Sequence, residues 1–133
     1  MNVRLPGQFC GDCRGAAAVE FALVSIAFVT FVIGISYAAI MVFNTMSLDW
    51  AVERAARIAA INKTVTQSDM SSAINDYLSS LGLSSATVTY SVGTSSGVQT
   101  AHIVASYDQT YTLPFVSTFN ITFSSSAYVP QGS

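Results

Sequence analysis

Charge is what this chain has least of. Only 9% of its 133 residues are Asp, Glu, Lys or Arg, against roughly 25% in a soluble globular domain, so part of its surface is not built to face water. Five basic residues against seven acidic ones leave a formal net charge of -2. The basic residues never stand side by side, so no line of phosphates can be neutralised and nucleic acid is excluded as a partner. Proline is scarce at three residues, and the only two cysteines are Cys10 and Cys13. A mean hydropathy of +0.50 with eight phenylalanines excludes an intrinsically disordered chain. One domain with a modest core fits the length.

Catalytic constellations are missing too. The single histidine, His102, falls on the more polar face of its strand, and nothing fixes a nucleophile, a base and an orienting acid together. Cys10-Gly11-Asp12-Cys13 has the spacing of a redox pair or half a zinc site, but no second pair accompanies it. The sequence therefore predicts no enzyme, no metal, no cofactor and no small-molecule substrate.

What is present is a long apolar run. From Phe21 to Leu48 there is no charged side chain. About 20 apolar residues cross a hydrocarbon core of roughly 30 Å at 1.5 Å per residue, so 21–43 is long enough for a single membrane span. The run sits inside a stretch from residue 16 to about 61 with no proline and one glycine, Gly34, which predicts one uninterrupted helix. Past Leu48 the pattern becomes amphipathic. Leu48, Val52, Ala55 and Ile58, with Ala51 and Ala59, share a stripe at steps of three and four, while Asp49, Glu53 and Arg57 line another. That stripe is expected to pack on the rest of the chain.

The remainder, 62–133, reads as a small head. Ser68 is placed to cap a short helix over about 69–81 that stops at Gly82. From Ala86 the period changes to two. Val88, Tyr90 and Val92 form a first strand, GTSSG (93–97) a turn, Val98 to about Tyr111 a longer strand broken after by Leu113-Pro114, and Phe119, Ile121 and Phe123 a last one. The expected fold is α+β: a long N-terminal helix, membrane-spanning then amphipathic over 48–61, with a head of one short helix and a three- to four-stranded antiparallel sheet.

The most informative string is Arg14-Gly15-Ala16-Ala17-Ala18-Val19-Glu20-Phe21, where a polar leader (1–15) meets the apolar helix. A carboxylate at the edge of a membrane segment is disfavoured, by up to about 2.5–3.5 kcal/mol at mid-bilayer. Cleavage after Gly15 offsets this cost by placing the new α-ammonium of Ala16 one helical turn from Glu20, or near the Glu20 of a neighbouring chain. Thr30, Gly34 and Ala38, spaced by four, make a groove where a second helix can approach closely.

The string resembles a prepilin processing signal: basic leader, Gly before the cut, small residues, an acid at the fifth position of the product, then an apolar helix that is retained. GAAAVEFALV, the WAVERAAR at 50–57 and the closing ITFSSSA at 121–127 together resemble the TadE-like family, pilin-like minor subunits (pseudopilins) of tight-adherence, Flp-type pili. That resemblance implies a pilin-like fold, processing by a prepilin peptidase at Gly15, Ala16, Glu20 and Phe21, other pilin-like subunits as partners, and a role in pilus biogenesis and adhesion. It implies residence in a bacterial inner membrane, with the head in the periplasm or carried into the pilus. The positive-inside rule is nearly balanced, with Arg4 and Arg14 on one side of the span and Arg54, Arg57 and Lys63 on the other. A cytoplasmic N-terminus is favoured because Arg14 abuts the span and no Lys or Arg follows Lys63. The competing reading is a binding module, either secreted by a signal peptide cut after Ser36-Tyr37-Ala38 or held by an uncleaved single span.

Overall fold

A computed structural model describes residues 13–95, 97–112 and 117–131. The element order is α1 (Cys13–Ile61), α2 (Gln67–Ser80), β1 (Thr87–Ser95), β2 (Val98–Tyr111) and β3 (Phe119–Pro130), an α+β arrangement. By packing the chain divides into Met1–Ala39 and Ile40–Ser133. In the first unit the described side chains are exposed or half-buried; the core lies in the second.

The 49 residues of α1 contain no helix breaker. The helix begins by Cys13, so the last three residues of the expected leader are helical, whereas Cys10 and the rest of residues 1–12 lie outside the described residues. It ends where Asn62 competes for the backbone: its Oδ1 accepts from Thr64 N at 3.0 Å and from Thr64 Oγ1 at 2.7 Å, an Asx-type turn.

Helix α2 starts earlier than the sequence suggests, and its cap is Thr66 rather than Ser68. The reason is the position of Asp69. It lies three residues after Thr66, and the two close a capping box: Asp69 N donates to Thr66 Oγ1 at 3.3 Å and Thr66 N donates to Asp69 Oδ2 at 2.9 Å. The bond from the Thr66 backbone, followed by the one from its hydroxyl at 2.7 Å, holds the Asp69 carboxyl below the usual carboxylate range. At the other end Gly82 takes φ 73°, and Gly82 N and Leu83 N donate back to Ser79 O and Leu78 O. A side chain at that φ is strained. Met70, Ile74 and Leu78 form the buried face.

The sheet has three antiparallel strands in the order β1-β2-β3. Both registers run without a bulge, from Thr87↔Ser106 to Ser95↔Val98 and from Thr100↔Pro130 to Tyr111↔Phe119. The expected five-residue turn is shorter, because pairing continues through Gly93 to Ser95 and leaves Gly97, at φ 81°, to make the reversal. Strand β3 likewise continues to Pro130, well past Ser124. The Leu113-Pro114 break lies outside the described residues.

Alternation places Ala101, Ile103, Ala105, Tyr107 and Tyr111 on one face of β2, and all five are buried. Cross-strand partners Val88 and Phe123 join them. The opposite face carries Thr87, Thr89, His102, Ser106, Thr122 and Ser124, where His102 stacks on Tyr128 with centroids 4.0 Å apart and Thr122 Oγ1 donates to Asp108 Oδ1 at 2.6 Å.

Tyr107 is the awkward member of the core: it is 4% exposed, and its hydroxyl has no hydrogen-bond partner. Burial first, and neighbouring Tyr111 second, push its pKa above the ordinary tyrosine value. A raised folded-state pKa gives stability that is fully present below the unfolded value and lost as pH rises through the folded one. Tyr107→Phe is therefore expected to stabilise the protein by about 1 kcal/mol at neutral pH by deleting an unpaired buried hydroxyl, and to flatten the alkaline limb. Urea unfolding at neutral pH and above the tyrosine range checks both.

Candidate functional site

Three features of α1 can act on other molecules or on the head. The first is its amino-terminal surface. Phe21 is 75% exposed and Phe31 68% exposed, and Val24, Ile26, Phe28 and Ile35 are also exposed. Mean hydropathy reaches 2.4 in a window of which none is buried, which makes α1 long and apolar enough to cross a membrane. Its hydroxyls fit that solvent. Thr30 Oγ1 donates to Ile26 O at 2.8 Å and Ser36 Oγ to Val32 O at 2.9 Å, so neither presents an unsatisfied donor to lipid.

Gly15, Ala16, Glu20 and Phe21 lie at the start of this surface, all exposed and helical. Because the helix is already formed at Cys13, Glu20 stands two turns inside it, and no acid occupies the first turn. A Cβ added at Gly15 meets nothing within 4 Å, so packing among the described residues does not require glycine there. The same holds at Gly34, which with Thr30 and Ala38 lines a shallow groove, joined by Ala27, Phe31 and Ile35.

The third feature is the half of α1 that builds the core. Leu48, Val52 and Ala55 are each 1% exposed, and Ala51, Ala56 and Ala59 are buried beside them. Ile58 departs from the expected stripe: it is 39% exposed. It lies in the last turn, about 80° round the helix from Leu48 at 100° per residue, on the margin of the buried arc, and Ala59 takes the central place.

Polar residues that the hydrophobic pattern passes over join helix to sheet. Buried Asn44 donates from Nδ2 to Tyr111 Oη at 2.7 Å. At the other end, buried Gln131 donates from Nε2 to Ala59 O at 3.3 Å and to Tyr90 Oη at 3.1 Å. With Asn44 near the end of β2 and Ala59 near its start, α1 runs antiparallel to β2. Asn44 was detectable in the sequence, because it continues the stripe one turn before Leu48; Gln131 carried no such signal.

Residues 15–57 match the family model of TadE-like proteins. The TadE-like match covers α1 from Gly15 to Arg57 and stops before the sheet. No curated protein and no solved structure matches the chain. The TadE-like segment thus contains the glycine–glutamate junction, the small-residue groove and most of the core-building stripe. TadE-like proteins are structural components of Tad pili; the match spans 43 of the 133 residues and ties the candidate membrane span of this chain to that family.

Proposed function

We propose that this protein is a minor pilin or pseudopilin of a Tad-type pilus. A prepilin peptidase cuts it after Gly15, its apolar helix holds it in the inner membrane with the head in the periplasm, and it assembles with other pilin-like subunits in pilus biogenesis and adhesion. The observation that carries the reading is the junction itself. Gly15 and Glu20 have no partner within the described chain that explains them, yet both sit where an apolar helix of membrane length begins. Cutting before Ala16 shortens the helix so that Glu20 falls one turn from its new, positively charged end, where the helix dipole also favours an anion. The groove at Thr30, Gly34 and Ala38 offers a close-packing surface for a neighbouring helix, and Leu48, Val52 and Ala55 keep the head fastened to the same helix.

N-terminal sequencing of the membrane fraction, from cells with and without the prepilin peptidase, tests this. The expected product begins at Ala16 only when the peptidase is present, and Gly15→Leu abolishes it. A mature chain beginning at Ala39 instead establishes the secreted alternative, and an intact leader in peptidase-positive cells defeats the processing step.

A further inference from the structure

The side of α1 opposite the core is polar only in part. At 100° per residue Trp50 lies about 200° round from Leu48, and it is 60% exposed; on the same side Met46 is 56% exposed and Phe43 51%. These three recur at i, i+3 and i+7, the spacing of a seam that a second helix covers. Glu53 and Arg57 continue the line and pair with each other at 3.8 Å, both largely exposed. Trp50, Glu53, Arg54 and Arg57, with Tyr77 from α2, line an open groove of about 300 Å³, room for an incoming aromatic side chain.

Lipid is a poor occupant for it. With the span at 21–43, Trp50 stands about 10 Å and Arg57 about 21 Å past Phe43, whereas the headgroup layer on one side is only about 5–8 Å deep. The part of the stripe from Trp50 to Arg57 therefore stands in water, where exposed Trp and Arg beside half-buried Tyr77 are the composition of a protein contact, while Met46, about 4.5 Å past Phe43, lies level with the headgroups.

The flanking charges say which protein. Taking Phe43, Met46, Trp50, Glu53 and Arg57 as the seam, Asp49 flanks it on one side and Arg54 on the other. In a parallel pair of identical helices each flanking residue meets the one five positions further along its partner, which sets Asp49 against Arg54 twice, by symmetry. An antiparallel pair sets Asp49 against Asp49 and Arg54 against Arg54, so repulsion selects the parallel arrangement. Copies inserted through one membrane by the same helix are parallel already.

We infer that the outer face of α1 around Trp50 is a self-association surface, on which a second copy of this chain packs in parallel through Met46, Trp50 and Glu53, with reciprocal Asp49–Arg54 ion pairs. The parallel sense rests on the membrane-anchored reading above; the charge pattern is independent of it.

The test uses the full chain in native membranes, with Cys10→Ser and Cys13→Ser and one new cysteine on the seam, Met46→Cys or Glu53→Cys, under mild oxidation. Both single-cysteine chains are expected to give a disulfide-linked species of twice the chain mass, while Thr122→Cys on the outer sheet face does not. In the Met46→Cys chain, Asp49→Arg or Arg54→Asp alone reduces that species about tenfold through like-charge contact, and the two together restore it. Three outcomes overturn the inference: cross-linking no greater than for Thr122→Cys, adducts only with other proteins, or failure of the double reversal to recover what the single ones lose. A chain that pellets with membranes yet fails to cross-link leaves the anchored reading standing and removes the self-association; a chain in the soluble fraction removes the anchored reading, and its cross-linking and charge reversal still decide the self-association.

Discussion

Leu48→Ala is expected to destabilise the Ile40–Ser133 unit by about 3 kcal/mol, within the roughly 2–5 kcal/mol seen when a fully buried leucine is truncated and the cavity does not collapse. Leu48 is 1% exposed, and its neighbours on the buried face of the helix are short or stiff, Ala51 and β-branched Val52 one turn on and Asn44, held by Tyr111, one turn back. Such neighbours have few rotamers with which to fill a void, and the sheet behind is fixed by an unbroken register. Ile58→Ala, by contrast, is expected to cost less than about 1 kcal/mol, because that side chain is already 39% exposed and surface changes away from special features are small. Urea unfolding of the full chain in detergent, followed by near-ultraviolet dichroism so that the helix does not mask the head, measures the difference. Equal losses at the two positions would mean that Leu48 does not lie at the helix–sheet contact. Since folded domains retain only about 5–15 kcal/mol of net stability, the Leu48 change alone removes a large share.

The second large effect belongs to two amides on α2. Gln67 and Asn75 occupy the outer edge of β1 as a further strand would. Gln67 Oε1 accepts from Tyr90 N at 2.6 Å while its Nε2 donates to Val88 O. Asn75 Oδ1 accepts from Ala86 N at 2.7 Å and its Nδ2 donates to Ala86 O at 3.3 Å. An exposed edge strand invites pairing with other chains, and covering it is one of the known remedies. Replacing both amides by alanine removes four such bonds at about 0.5–1.5 kcal/mol each, so the double variant is expected to lose about 2–6 kcal/mol and to become prone to aggregation. Hydrogen exchange at Ala86 and Tyr90 amides should accelerate selectively while β2 amides keep their protection relative to the global unfolding limit. Uniform acceleration across the sheet would show that the amides contribute only general stability.

The parts of this fold that were legible in the sequence are those governed by period. Charge-free length marked the exposed helix, steps of three and four marked Leu48, Val52 and Ala55, and strict alternation marked Ala101, Ile103, Ala105 and Tyr107. What was not legible depended on one residue's partner elsewhere. Ser68 and Thr66 are equally good caps in isolation; Asp69, at the right distance from only one of them, decides. Gly93 in a run of Gly, Ser and Thr looks like part of a turn, yet pairing opposite Thr100 keeps it in β1. Ile58 satisfies the helical spacing but sits on the margin of the buried arc, 39% exposed. Gln67, Asn75 and Gln131 bond to backbone or side chains 11 to 72 residues away, and no local pattern announces such contacts. The junction at Gly15 and Glu20 was readable for the opposite reason, because no contact among the described residues accounts for it.

One helix serves two surroundings here, since the residues from Phe21 to Phe43 are apolar in the main and exposed or half-buried, while Leu48, Ala51, Val52, Ala55, Ala56 and Ala59 are buried in the core. In a chain anchored by α1, immersion depth is consequently not adjustable: sinking by even two turns would drag Leu48 and Val52 out of the core.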